Sequence, residues 1–448
     1  MIIISIVDVA RAVGGLLVGD PNLYIKGVST DSRSIEPNNL FIPLVGDSFD
    51  GHDFINDVIN KGVKCFLIEQ DYDRPKNDRV TYIVVKDTLQ ALQDLATYYI
   101  KSINPYVIAI TGSNGKTSAK DMLHAIMSKK YKTAKTSGNH NNEIGVPLSI
   151  LEFDEDIKCA IMEMGVEHRG DIDELCKIVK PNVSLITTIG TAHIANFNDS
   201  KKQIAKAKLE IYSNLINGGY MFYNKESTEI ERVLKKMKKP NQLFPFGSGS
   251  DLMIDDIKYE DGYTKYKVSG FEEEFAIKTL GKHQVTNSLG CIGIGLKEGI
   301  DIKDIRSALK SLKFEKMRCD VIRVKDSIII DDSYKSNPES AQAAIDVLSE
   351  FKDYKKIICF SDMLELGNYE KRYHKQIGSY IKNSKIADEV VCTGHLAKYI
   401  AEKAQGKYFE TKEECADYLK KYLEEKAVIL IKGSRATQMD KVVEMLRK

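Results

Sequence analysis

Short apolar runs alternate along this chain with stretches of helical spacing. Tyr106-Val-Ile-Ala-Ile110 is unbroken, apolar and rich in β-branched residues, which predicts a strand buried on both faces. From Lys116, the apolar positions of Lys-Thr-Ser-Ala-Lys-Asp-Met-Leu-His-Ala-Ile-Met fall at helical spacing. Similar runs predict strands over 158–165 and 183–190, then from Ser327, and over 356–360, 389–392 and 427–431. Helices are predicted over 7–17, 55–63, 89–100, 204–215, 369–382, 395–404 and 412–424. Others open at Gly281 and at Pro338, where proline suits a first turn. Met1-Ile-Ile-Ile-Ser-Ile-Val is followed at once by Asp8 and Arg11, so it reads as a first strand and not as a targeting signal. The alternation predicts an α/β protein with mostly parallel sheets. We expect three domains: a small N-terminal α/β domain over 1–85, a central P-loop-type ATPase domain over 105–315, and a C-terminal Rossmann-like α/β domain over 316–448. A connecting helix within 86–104 ends at Asn104-Pro105.

The length of 448 residues agrees with about three domains. Hydrophobic residues make up 43% and charged residues 29%, the balance of a soluble globular protein. The net charge of +1 gives no reason to expect nucleic acid or a charged membrane surface as partner. No apolar run approaches the roughly 18–20 residues that span a bilayer. The eight cysteines lack Cys-x-x-Cys spacing and lie mostly in apolar runs. Reduced core thiols in a cytoplasmic protein are expected, and a monomer.

The candidate chemistry centres on Thr111-Gly-Ser-Asn-Gly-Lys-Thr-Ser118, where the strand meets the helix. Glycines let backbone N–H groups approach phosphate oxygens, and the helix N-terminus adds partial positive charge. Lys116 would reach the terminal phosphates and Thr117 would place a hydroxyl on Mg²⁺. Gly112 stands three residues before Gly115, so the loop is a shortened relative of G-x-x-x-x-G-K-[ST]. Glu163 closes one predicted strand and His193 follows another; with Thr117 they could form a Mg²⁺ set beyond the strand ends. A solvent-facing acid and a satisfied core histidine are the alternatives, and His193 could also stand behind a ligand. Gly138-Asn-His-Asn-Asn142 is a poor core and a good polar contact surface, or else a plain loop. Asp31-Ser32-Arg33 could bind an anion or a polar ring, or be a solvated turn. Lys206 and Lys208 would ordinarily be solvated. His283 and Asn287 share one helix face at i, i+4.

Taken together, these stretches resemble the ATP-dependent Mur ligases. Thr111-Gly-Ser-Asn-Gly-Lys-Thr117 is similar to that family's phosphate loop. Four stretches resemble the member that adds D-alanyl-D-alanine: Ser29-Thr-Asp-Ser-Arg33, Gly138-Asn-His-Asn-Asn-Glu-Ile-Gly-Val-Pro147, Asp331-Asp-Ser-Tyr-Lys-Ser-Asn-Pro338 and Asp362-Met-Leu-Glu-Leu-Gly367. The resemblance implies that the N-terminal domain grips a UDP moiety, with Thr30, Asp31, Ser32, Arg33, Gly51 and His52 near the uridine nucleotide. It implies that Asn139, His140, Asn141 and Asn142 face the muramoyl peptide. ATP would lie on Gly112, Ser113, Asn114, Gly115, Lys116, Thr117 and Ser118, with Asn287, Arg318, Asp332, Tyr334 and Asn337 around the nucleotide and incoming dipeptide. Thr117, Glu163, His193 and Lys208 become the metal set for two Mg²⁺, with Lys208 carbamylated by CO₂. Carbamylation turns a cation into an anionic oxygen ligand. Lys116, Glu163, His193, Lys208 and Arg318 become the catalytic group.

The implied reaction joins D-Ala-D-Ala to UDP-MurNAc-tripeptide with ATP, through an acyl phosphate, in peptidoglycan synthesis. A folylpolyglutamate-synthetase-like ligase, or another P-loop ATPase or kinase, is the alternative. Lys335 stands where the family usually has an amide, Met317 and Ser361 where it usually has glycine, and Asn38-Asn39 where Gly-Asp is common.

Overall fold

The computed structural model describes residues 1–448 except 47, 76–78, 239–240, 261 and 315–316. The expected boundary at 315/316 lies outside the described residues. The strand Tyr106–Thr111 is the hub, buried from Val107 onward. It runs inside a six-stranded parallel sheet, ordered 242–246, 220–224, 183–186, 106–111, 159–163, 133–135. Its two neighbours are the strands that carry Glu163 and lead to His193. Glu163 pairs with Ile110 and Ile186 with Thr111, so three carboxyl ends meet at one edge. From the strand 159–163 the chain crosses over the hub strand, and ligands bind at such a switch point.

The helix Lys116–Met127 follows the loop and is buried along most of its length. It packs between the sheet and the helix Lys282–Lys297. That second helix is buried from Gln284 to Gly295. Gly290 lets Leu185 and Phe246 close in: a Cβ there would lie 2.6 Å from Leu185 Cδ1.

The N-terminal sheet has the order 16–18, 81–85, 65–69, 40–41, 28–29, antiparallel only at its first pair. The helix Thr88–Ile103 joins it to the central domain, capped by Asp87 and closed by Asn104 at φ 44°. Its buried face (Leu92, Leu95, Ala96, Tyr99) shares one hydrophobic cluster with the central helices Gly145–Leu151 and Asp171–Val179. The Tyr99 hydroxyl and the Met1 ammonium both donate to Phe153 O, at 2.7 and 2.8 Å.

The C-terminal sheet has the order 320–324, 327–332, 427–432, 355–360, 389–393, 407–409, parallel except for its first hairpin. Two separate clusters cover its faces. A three-stranded antiparallel sheet (254–260, 263–268, 274–277) packs under the helices Lys282–Lys297 and Ile302–Ser311. No helix among the described residues is long and apolar enough to cross a membrane. All eight cysteines are buried and free.

Several elements differ from expectation. The strand predicted to 190 stops at Ile186, because Thr187 and Thr188 turn to wrap the phosphate loop. The helix expected over 204–215 is two, Lys201–Lys208 and Glu210–Ser213. At the break Leu209 has ψ −4°, and Glu210 turns to accept from Gly170 N–H. The helix expected over 7–17 ends at Ala12, with Gly14 at φ 60°, and Leu16–Val18 is a strand. The helix expected from 395 starts at Lys398, because the N–H groups of Leu396 and Ala397 donate to Asp362.

Leu95→Ala should destabilise the joined N-terminal and central domains by about 2–5 kcal/mol, the usual cost of truncating a buried leucine. Calorimetry should show their transition falling while one from the C-terminal sheet stays in place. An unchanged profile would contradict the shared core.

Candidate functional site

The phosphate loop is shaped by two glycines. Gly115 has φ 80°, and a Cβ there would lie 2.1 Å from Asn287 Nδ2. A Cβ on Gly112 would lie 1.9 Å from Thr187 Oγ1. Thr187 Oγ1 donates to Asn114 O at 2.6 Å, Ser113 N–H to Thr188 O at 2.8 Å, and Gly190 N–H to Ser113 Oγ at 2.9 Å. The loop is therefore held open by the segment after the strand Val183–Ile186. Gly115 caps the following helix without a side chain, so the first-turn N–H groups are available to an anion.

Above the loop lies a cavity of about 760 Å³. Gly112 to Ser118, Asn139, Asn141, Asn142, Glu163, His193, Lys208, Arg318, Asp332, Tyr334 and Lys335 all line it. Lys116, Lys208, Arg318, Lys335 and Lys432 bring cationic groups to the same cavity, among carboxylates that include Glu163, Asp332 and Glu365. Lys116 Nζ donates to Gly112 O at 2.9 Å. Burial pulls its ammonium down to about 8, with Glu163 opposing and Lys335 and Arg318 adding to the drop. Lys208 is 3% exposed and has no hydrogen bond or ion pair among the described residues. Burial first, then Lys116 and Lys335, push it well below the ordinary lysine value. Lys206, its rival from sequence, is half-buried. Arg318 lies over the Tyr334 ring, 4.2 Å from its centroid.

Glu163 is the central carboxylate. Asn141 Nδ2 donates to its Oε1 at 2.8 Å, and Lys120 Nζ stands 3.4 Å from Oε2. Oε2 is buried and makes no hydrogen bond. Lys120 also donates to Gly138 O, so the Gly138–Asn142 loop is tied to the helix and to Glu163. Lys120 is not among the residues expected from sequence at this site. Its signal is the spacing: it lies one helical turn after Lys116, on the same face.

The C-terminal domain closes over this edge. Asn337 Nδ2 donates to Asn114 Oδ1 at 2.7 Å, and Asn114 Nδ2 returns a bond at 3.2 Å. Glu339 accepts from the Thr191 N–H and hydroxyl and from Lys201. His193, at φ 57°, has Nδ1 3.0 Å from Glu365 Oε2 and Nε2 2.7 Å from Lys335 Nζ. An ammonium only donates, so Nε2 accepts and the ring proton sits on Nδ1, facing Glu365. Burial lowers Lys335 below the ordinary lysine value, with Glu365 opposing. Lys432 pairs with Asp332 at 2.6 Å and donates to Lys335 O at 2.8 Å, fixing that backbone. Glu365, Glu339 and Lys432 are likewise not among the site residues expected from sequence.

Other expected residues lie elsewhere. Asn287 packs beneath Gly115 and does not line the cavity. His140 is not among the lining residues, and its backbone N–H donates to Ser137 O. Thr30, Asp31, Ser32 and Arg33 lie outside the cavity. Arg33 grips Asp31 through a two-point fork at 2.9 and 2.8 Å, which holds the Asp31 carboxyl down to about 2. Gly51 packs against Leu44 backbone. The His52 ring is turned inward: Nδ1 meets Asp50 at 2.6 Å and Nε2 accepts from Glu69 N–H. The ring, expected near the uridine nucleotide, thus supports the Asp50–Gly51 turn.

Three family models match the chain in order. They are the Mur ligase family catalytic domain over 24–100, the Mur ligase middle domain over 110–295, and the Mur ligase glutamate ligase domain over 317–435. The UDP-N-acetylmuramoyl-tripeptide–D-alanyl-D-alanine ligase of Bacillus subtilis (strain 168) is 35% identical, over 99% of this chain and 98% of that protein. A crystal structure of MurF from Acinetobacter baumannii is similar at TM-score 0.91 and 30% identity, covering 100% of both chains. MurF ligase from Thermotoga maritima, in complex with ADP, is similar at TM-score 0.83 and 27% identity, over 94% of this chain and 97% of that one.

Because the Lys116 ammonium titrates near about 8 and a polyphosphate stabilises it, binding takes up a proton above that pH. ATP affinity should be flat below it and weaken by up to about tenfold per pH unit above it. Calorimetric titration checks this. Lys116→Ala should bind more weakly and lose the slope; a slope that survives in that variant would assign the proton to another group.

Proposed function

The chain belongs to the Mur ligase family, and on that premise we propose that it joins D-alanyl-D-alanine to UDP-MurNAc-tripeptide with consumption of ATP. The product is the pentapeptide precursor of peptidoglycan, so the reaction serves cell-wall biogenesis, cell shape and division. The observation that carries this reading is full-length likeness to ligases of that activity, at 35% identity over 98% of the Bacillus subtilis protein. The cavity supports it chemically. Cations from two domains converge where two anions, a carboxylate and a triphosphate, must be brought together. The reaction consumes ATP and a UDP-linked substrate, and the thiols are free, which supports a cytoplasmic setting.

The tripeptide carboxylate would attack the γ-phosphorus, forming a C–O–P bond as the bond to ADP breaks. The dipeptide amine would then attack the acyl carbon, losing a proton as phosphate leaves. Lys116 and Arg318 neutralise the transferring group and hold it in line. Asn139, Asn141 and Asn142 offer amides to the peptide side. Asp31 and Arg33 would meet the uridine nucleotide outside the cavity, with Thr30, Ser32 and Gly51. Acyl phosphates hydrolyse, so water must be excluded. The Asn114–Asn337 pair and the Glu339–Thr191 contact close the C-terminal domain for that purpose.

The residues fit one Mg²⁺: Thr117 offers a hydroxyl, and Glu163 an oxygen that makes no hydrogen bond. When bound, the ion would supply charge neutralisation at the phosphates. Lys208 fits carbamylation, because a buried amine short of its proton is nucleophilic toward CO₂. Nitrogen bonds to carbon, one N–H proton leaves, and an anionic carbamate results.

With purified protein, phosphate release from ATP should require UDP-MurNAc-tripeptide and D-Ala-D-Ala together, with a pentapeptide product by mass. Release with neither would favour a plain ATPase, and release with folate and glutamate would favour the folate-type ligase. Lys208→Ala should lose activity by about 10²-fold or more, the scale of removing one electrostatic group, with partial rescue by short carboxylic acids. Full activity in that variant would rule out the carbamate.

A further inference from the structure

The second metal position expected from sequence rests on the His193 imidazole and carbamylated Lys208. The structure does not fit a metal on that imidazole. Both ring nitrogens are engaged, Nδ1 by Glu365 at 3.0 Å and Nε2 by Lys335 Nζ at 2.7 Å. The Lys335 ammonium thus occupies the lone pair that a metal would need. Lys335 also forms an ion pair with Glu365 Oε2 at 3.8 Å. Lys432 fixes its backbone from below through Lys335 O.

We propose that Lys335 is a catalytic residue that replaces a second Mg²⁺, so that the enzyme works with one divalent ion and one built-in ammonium. This rests on the ligase reading above. Three features argue for it. Lys335 lines the same cavity as Lys116, Glu163 and Lys208. It arrives from the C-terminal domain, whereas His193 and Lys208 belong to the central one, so the charge is delivered only when the domains meet. A carbamate on Lys208 would also convert the present Lys208–Lys335 repulsion into attraction. An ammonium keeps three donors. With one on His193, the others can hold the tripeptide carboxylate and the γ-phosphate oxygen.

The test counts metal ions. The wild-type chain is mixed with a non-hydrolysable ATP analogue and UDP-MurNAc-tripeptide and titrated with Mn²⁺, the free ion being read by electron paramagnetic resonance. One Mn²⁺ per chain is expected, and two for Lys335→Ala, in which His193 is released. Two in the wild type would overturn the proposal, whether or not the variant folds. One in both proteins would also overturn it, because the ammonium would then not be holding a metal's place. No bound Mn²⁺ in the wild type would count against the ligase reading itself, and against the proposal with it. In turnover, Lys335→Ala should lower kcat by about 10²–10³-fold, with the KM for ATP little changed. Lys335→Arg should recover part of that loss. Wild-type-like kcat in Lys335→Ala would again overturn the proposal.

Discussion

Burying Lys116, Lys208 and Lys335 in one cleft is unfavourable in itself, because each ammonium loses water and gains like-charged neighbours. Glu163 and Glu365 offset part of this, at Lys116 and at Lys335, but Lys120 already stands 3.4 Å from Glu163, and no ion pair among the described residues reaches Lys208. The arrangement makes sense when anions enter. A triphosphate and a carboxylate repel each other in water, and a prepaid cluster of cations removes that barrier. Much of the surrounding structure holds the cluster against its own repulsion: the buried strand 106–111, the wrapped loop, the Gly138–Asn142 tie and the docked C-terminal domain.

The division of labour follows from where each charge is carried. Lys116 and Lys208 ride on helices of the central domain, next to the hub sheet. Lys335 and Arg318 come from the C-terminal side. Bringing the second pair to the first uses polar contacts at the cleft, such as the reciprocal amides of Asn114 and Asn337, with Leu280 and Tyr259 packed against the C-terminal core away from it. Polar contacts at the mouth of a cleft can part and re-form at small cost, which suits substrates that must enter and a product that must leave. The N-terminal domain is joined differently, through a continuous apolar core along the helix Thr88–Ile103. It is thereby a rigid extension of the central domain.

Much of this was legible in the sequence where one local signal sufficed. The apolar run at 106–110 and its glycine loop could be read directly, and the strand-end position of Glu163 followed from a run buried on both faces. What stayed hidden depended on tertiary context. Lys120 looks like any solvated helix lysine until the Gly138 loop closes over it. Thr187 and Thr188 continue a β-branched run, yet leave the sheet because Asn114 and Ser113 need their hydrogen bonds. The His52 ring is consumed by Asp50 and Glu69, which no spacing announces. The antiparallel sheet 254–277 has an alternating face, but its exposed strand 254–260 is too polar to stand out. Lys335 was visible as a departure from family usage; its contact with His193 was not.

In the proposed reaction this cleft joins a carboxylate to a phosphate before any amine reacts. The most direct measurement uses UDP-MurNAc-tripeptide labelled with ¹⁸O in its terminal carboxylate, with mass analysis of the phosphate released during pentapeptide synthesis. Attack by the carboxylate predicts one ¹⁸O in each phosphate. Phosphate without ¹⁸O would mean that water, and not the carboxylate, takes the phosphoryl group, and would contradict the account.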